Sequence, residues 1–173
     1  MKYAQSLILF QIAKSLNLKA CHLRLAEVYS IDKPEKFIYN SLIKEVANGL
    51  NKKFSFPIEK KDYIFVTDVC RAIIFLIKSN AEGIFNVGSG KSFLSKDLMS
   101  MILQQYASNI VIDHTENNKS QDFSLNIDKI FNASGWKPNI SIWDGITMLL
   151  QEEKFKNPTT FSTFTKTIRS FYK

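Results

Sequence analysis

The sequence predicts an α/β fold in which helices and short strands alternate along one domain. Stretches with the apolar spacing of helices are interleaved with short apolar runs that are typical of strands. Apolar residues make up 45% of the 173 residues, which is enough for a hydrophobic core. No internal repeat and no linker divides the chain.

The first part of the sequence predicts a helix, a strand and a second helix. Residues 3–17 carry apolar side chains over so much of the helix surface that we expect this helix to be largely buried. Residues 19–26 predict a strand. Pro34 suits the first position of a helix that continues from Lys36 to Leu50. Two short strands then follow, at 54–58 and 63–66.

The second part continues the alternation of helices and strands. Thr67 or Asp68 is expected to cap a buried helix, VCRAIIFLIKS. Residues 83–90, GIFNVGSG, predict a strand that ends in a glycine turn, and Ser95 is a suitable cap for a helix to Tyr106. The remaining predicted elements are a strand at 109–113, a helix at 126–134, a turn at 135–138 and an amphipathic helix from Ser141 or Ile142 to about Phe155.

Composition narrows the possible functions. The net charge is +7, but the lysines are scattered, which favours a solvated surface with a few cations for a diphosphate ligand. Cys21 and Cys70 lie in apolar stretches without CxxC spacing, so both are expected to be reduced and buried. His22 and His114 are isolated, so no metal site is predicted. Without an apolar run of about 18 residues or a signal-peptide pattern, we expect a cytoplasmic protein.

Five short motifs occur in a consistent order along the chain. They are Tyr3-Ala-Gln-Ser-Leu7, RLAEVY at 24–29, KDYIFVTDV at 61–69, GIFNVGSG at 83–90, and Asp128-Lys129 followed by Gly135-Trp136-Lys137-Pro138. In this order they resemble the extended short-chain dehydrogenase/reductase (extended SDR) family, whose members are NAD-dependent nucleotide-sugar epimerases, dehydratases and related enzymes.

The resemblance implies a partial Rossmann-like fold with a small substrate-binding subdomain. Residues 1–155 correspond to the C-terminal part of the family domain, and residues 156–173 form a tail of unknown role. The N-terminal Rossmann half, which binds NAD(P), has no counterpart in this sequence. Gly88-Ser89-Gly90 lacks the third glycine of a dinucleotide-binding turn, so its interpretation is a turn. We therefore expect no NAD(P) binding by this chain alone.

The resemblance also assigns candidate site residues. Tyr3 corresponds to the acid/base tyrosine of the family. The family lysine that favours the phenolate form through its charge is replaced by Leu7. Tyr3 is therefore either a weakened catalytic residue or an ordinary N-terminal phenol.

Two lysines are candidate ligands of a nucleoside diphosphate. Lys61 stands where the family arginine contacts the diphosphate, and it keeps the charge without the bidentate fork. Lys119 corresponds loosely to a second family arginine. For each of them, a plain surface lysine is the alternative.

Three functional hypotheses follow. The first is a truncated, inactive family member that retains part of the binding region for nucleoside-diphosphate sugars. The second is the substrate half of a split enzyme that is active with a separate NAD-binding chain. The third is a basic module that binds nucleic acid or another partner. In the first two cases, helix 3–17 and strand 19–26 would leave apolar faces exposed, which predicts a partner or self-association.

Overall fold

A computed structural model describes residues 2–30, 54–57, 59–106, 112–115 and 123–156. The helix predicted at 36–50, the candidate Lys119 and the tail from residue 157 onwards lie outside these ranges. In chain order the elements are α1 (Lys2–Ser15), β1 (Cys21–Leu25), β2 (Glu27–Tyr29), β3 (Phe54–Pro57), β4 (Lys60–Phe65), α2 (Val66–Lys78), β5 (Gly83–Val87), β6 (Ser92–Leu94), α3 (Ser95–Tyr106), β7 (Ile112–Thr115), α4 (Asp128–Ser134) and α5 (Ile142–Lys156).

The described strands form three small sheets. β1 pairs in parallel with β5, so that Cys21 lies opposite Gly83 and Leu25 opposite Val87. β3 pairs in parallel with β7. The third sheet has the strand order β2-β4-β6. Parallel strands joined through helices confirm the predicted α/β class.

The chain divides into two compact units, the first formed by Met1–Val28, Asp62–Lys91 and Ser124–Ser141. Its core contains alternate residues of β5, Phe85 and Val87, because successive side chains of a strand point to opposite faces. Trp136 is fully buried in this core, as expected for a packing residue of the predicted turn. The other buried members are Ala26, Ile64, Val69, Ala72, Leu76 and Ile130.

The second unit comprises Tyr29–Lys61, Ser92–Phe123 and Ile142–Lys173. In α5, Ile142, Ile146 and Leu149 are buried, and their i, i+4, i+7 spacing places them on one helix face. The ring of Trp143 meets that of Phe93 edge-on, with 6.2 Å between the ring centroids.

The predicted burial of helix 3–17 is wrong for the described chain. In α1, Ser6 and Ala13 are buried. Four of its large apolar side chains, Leu7, Ile8, Leu9 and Ile12, are 39 to 59% exposed, and Leu16, just after the helix, is 60% exposed. Leu25 of β1 is also exposed. The exposure of apolar side chains on α1 and β1 that the first two hypotheses predict is therefore present in the described residues.

The predicted cap of α2 is also wrong. The helix begins at Val66, and its N-cap residue is Phe65, which makes no side-chain capping hydrogen bond. Asp68 is instead buried, and its carboxylate accepts hydrogen bonds from the main chain of Asn139 and Ile140. Ser95, which was expected to cap α3, is instead its first residue.

The two cysteines differ in environment. Cys21 is partly buried, and its Sγ lies 3.1 Å from the carbonyl oxygen of Ala81. Burial, with a contribution from the charge of Glu82, raises the pKa of the Cys21 thiol. The predicted burial of Cys70 is wrong, because it is exposed on α2 while Val69 and Ala72 occupy the buried face.

No helix within the described ranges has both the length and the apolar character needed to cross a membrane.

Candidate functional site

Lys61 lies in β4, and its ammonium group forms an ion pair with Glu59. The distance between Lys61 Nζ and Glu59 Oε2 is 2.6 Å, and the two side chains are 42% and 41% exposed. A cation with this exposure can be reached by an anion from solvent. Of the two candidate ligands of a diphosphate, Lys61 is thus the one whose side chain the structure describes.

The main chain of Glu59 is fixed at the start of α3. Its N–H donates to Ser95 Oγ at 3.1 Å, and the N–H of Ser95 donates to the carbonyl of Glu59 at 2.9 Å. Ser95 is buried. These reciprocal hydrogen bonds set the position from which the Glu59 carboxylate reaches Lys61.

The next residue of the motif, Asp62, is buried and binds the glycine turn. Its Oδ1 accepts hydrogen bonds from the N–H and the hydroxyl of Ser89, at 2.8 and 2.6 Å. Its Oδ2 accepts from the N–H of Gly90 at 3.0 Å and from that of Leu125 at 3.1 Å. A carboxylate that accepts several such bonds is compensated for its loss of water.

Position 88 has to be glycine because the Asp62 carboxylate comes close to its main chain. A Cβ at this position would lie 2.6 Å from Asp62 Oδ2 and 3.2 Å from the Cβ of Ala26. Because the N–H groups of Ser89 and Gly90 are bound to Asp62, the turn offers neither of them to a phosphate. This agrees with the interpretation of Gly88-Ser89-Gly90 as a structural turn.

Asp68 binds a second distant segment. Its Oδ2 accepts hydrogen bonds from the N–H groups of Asn139, at 2.9 Å, and Ile140, at 2.8 Å. Its Oδ1 accepts from Arg71 at 2.7 Å. The carboxylate therefore holds the chain immediately after the Trp136 turn.

The candidate catalytic residue Tyr3 and Leu7, which replaces the family's partner lysine, both lie in α1. Tyr3 occupies the first turn, and Leu7 follows one helical turn later, with 51% of its surface exposed. The position of the family lysine therefore carries an exposed aliphatic side chain.

Sequence reasoning did not single out Glu59 or Asp62. A signal for Asp62 was available, since a carboxylate between apolar strand residues has to find hydrogen-bond donors. For Glu59 the signal was its spacing of two residues from Lys61, which places both side chains on one face of extended chain.

The described part of the chain contains no group of three or more His, Cys, Asp or Glu side chains that could hold a metal ion. The 173-residue sequence also lacks the glycine-rich turn that receives the pyrophosphate of a dinucleotide.

The fold and the motifs define an α/β domain of the extended SDR type. Residues 1–88 match the model of the NAD dependent epimerase/dehydratase family, and the chain belongs to this family. The resemblance drawn from the five motifs is confirmed.

Known proteins similar to this chain act on nucleotide sugars, according to their names. The dTDP-4-dehydro-6-deoxyglucose reductase of Escherichia coli is 29% identical over 153 residues, which are 84% of this chain and 48% of the relative. The chain thus spans about half the length of this relative.

Solved structures confirm the partial Rossmann-like fold. A dTDP-glucose 4,6-dehydratase from Bacillus anthracis, solved in complex with NAD, matches with a TM-score of 0.75 and 17% sequence identity. The match covers 89% of this chain and 50% of the dehydratase chain. A UDP-glucose 4-epimerase from Thermotoga maritima, solved with UDP-glucose, matches with a TM-score of 0.69 and 22% sequence identity. This match covers 96% of this chain and 52% of the epimerase chain.

Proposed function

We propose that this chain supplies the nucleotide-sugar-binding part of an NAD(P)-dependent epimerase, dehydratase or reductase. Residues 1–155 form that part, and residues 156–173 are an additional tail. The observation that carries the proposal is the partly exposed ammonium of Lys61, within the motif that corresponds to the family's diphosphate contact. The names of the similar proteins, with their dTDP and UDP sugars, support the same class of ligand.

Lys61 binds the diphosphate as a point charge. Its ammonium group has three donors but not the planar fork of arginine, so its contact with phosphate oxygens is less directional and weaker. Lys119 provides a second positive charge to the same ligand. The affinity of the chain for a nucleoside diphosphate is therefore modest.

The 173-residue chain does not catalyse turnover by itself. Tyr3 is the acid/base residue by its position, but Leu7 gives it no cation to favour the phenolate. The glycine-rich turn by which the family binds NAD(P) is not among these 173 residues. Hydride transfer would therefore need another polypeptide segment that carries this turn.

The exposed apolar side chains of α1 and β1 favour a split enzyme as the second candidate function. Apolar surface of this kind is usually covered by a partner. Co-expression with a family polypeptide that carries the glycine-rich turn would then give NAD-dependent turnover, and Leu7→Lys would increase it. Absence of turnover with both the original chain and the Leu7→Lys variant would exclude the split enzyme.

Calorimetric titration with UDP, dTDP and uridine tests the proposed binding. We expect both diphosphates to bind more tightly than uridine, and Lys61→Ala to weaken UDP binding about tenfold. Lys61→Arg should retain or improve the affinity, because it restores the fork. Lys137→Ala removes an exposed lysine elsewhere and should have no effect. Equal binding of UDP and uridine, or an unchanged Lys61→Ala variant, would contradict the proposal.

A further inference from the structure

Lys61 is the cation that the proposed function assigns to the ligand, and in the structure it is already paired with Glu59. The distance between Lys61 Nζ and Glu59 Oε2 is 2.6 Å, so the carboxylate takes one of the three donor directions of the ammonium group and neutralises its charge. The pair is also weak, since both side chains are about two-fifths exposed and such pairs contribute little in water. It can therefore be opened by a stronger anion.

Glu59 is held where it can return to Lys61. Its main chain is bonded in both directions to the buried Ser95, so only the side chain has to move when the pair opens. The two residues are separated by one position at the start of β4, and alternate residues of extended chain share a face. The Glu59 carboxylate therefore stays within reach of the Lys61 ammonium group when the ion pair opens.

We infer that Glu59 is an intramolecular competitor for Lys61 and lowers the affinity of the site for phosphate ligands. This inference rests on the proposed function of Lys61. A phosphate group that contacts Lys61 has to open the ion pair or bind beside the negative charge of Glu59, and both oppose binding over a short distance.

The competitor can be removed without changing the size of the side chain. Glu59→Gln abolishes the negative charge and leaves the main-chain bonds to Ser95 in place. We expect this variant to bind UDP about fivefold more tightly, because an exposed ion pair no longer has to be broken. UMP, which carries less negative charge, should gain no more than UDP.

The experiment is a calorimetric titration of UDP and UMP into the 173-residue chain and three variants, Glu59→Gln, Lys61→Ala and Glu82→Gln. Glu82→Gln is the matched control, since it makes the same change in net charge at an exposed glutamate that acts on Cys21. It should leave both affinities unchanged. Thermal unfolding of Glu59→Gln should match that of the original chain.

The outcomes separate this inference from the proposed function. If Lys61→Ala weakens UDP binding but Glu59→Gln does not strengthen it, the competitor is excluded and the site remains. An equal gain in Glu59→Gln and Glu82→Gln would also exclude it, because the effect would then be one of net charge. If neither the original chain nor Glu59→Gln binds UDP, both the site and its competitor are overturned.

Discussion

At the scale of single residues, the two aspartates of the 61–69 motif have the same task. Asp62 is 1% exposed and Asp68 is fully buried. Each accepts hydrogen bonds from main-chain N–H groups of segments that are distant in the sequence. Such charge-assisted bonds offset the loss of hydration of a buried carboxylate. The motif therefore combines the partly exposed cation Lys61 with two buried carboxylates, Asp62 and Asp68, that hold the structure together.

Asp62→Asn should destabilise the chain by about 3 kcal/mol. The amide oxygen can replace one carboxylate oxygen, but the amide NH₂ would face two N–H donors and leave them without an acceptor. The free energy of unfolding in urea measures the loss. Asp97→Asn, at an exposed position in the first turn of α3, should lose less than about 1 kcal/mol. Similar losses in the two variants would show that the hydrogen bonds of Asp62 contribute nothing specific.

At the scale of elements, α5 contains Gly145 at a position where the ring of Tyr29 leaves no room for a side chain. A Cβ at Gly145 would overlap the hydroxyl of Tyr29 and lie 2.7 Å from Cε2 of its ring. Both residues are buried in the second unit. The helix accepts the lower propensity of glycine because the aromatic ring occupies the space of a side chain.

Gly145→Ala should therefore destabilise the chain by about 2 kcal/mol, although alanine normally favours a helix by about 1 kcal/mol over glycine. Thermal or urea unfolding gives the sign. In a Tyr29→Leu background the ring is gone, and the same substitution should be neutral or favourable. A loss that is independent of residue 29 would place the cause within the helix.

The sequence predicted most of the described elements but not their environment. Apolar spacing placed α1 and β1 close to their observed bounds, because it reports which side chains share a face. It could not report what covers that face, so the burial of α1 was predicted wrongly. The partners of Asp68 lie 71 and 72 residues further along, beyond the reach of any local pattern. In the site, the motif indicated Lys61, whereas Glu59 and Asp62 were not singled out although the sequence carried a signal for each, because neither signal names the partner.

At the scale of the whole molecule, the apolar surface of α1 determines behaviour in solution. Ile8 and Ile12 lie one helical turn apart and are more than half exposed. The chain spans about half the length of its relatives, and these side chains remain uncovered in the described part of it. Apolar surface of this kind promotes association.

We expect the 173-residue chain to bind a hydrophobic dye and to self-associate, as measured by dye fluorescence and light scattering. Ile8→Lys/Ile12→Lys should reduce both signals several-fold while retaining the unfolding midpoint. The control is Gln5→Lys/Gln11→Lys, which adds the same charge at exposed polar positions of α1. If the control lowers the signals equally, charge rather than apolar surface governs the association.

The way in which the two aspartates hold their targets has a consequence for variation among related sequences. Leu125, Asn139 and Ile140 are bound through the main-chain N–H, which every residue except proline possesses. At Asn139, whose side chain is exposed, the side chain can therefore diverge while the hydrogen bond persists, whereas Leu125 also packs against the core. A library that randomises position 139 should recover folded clones with nearly any residue except proline.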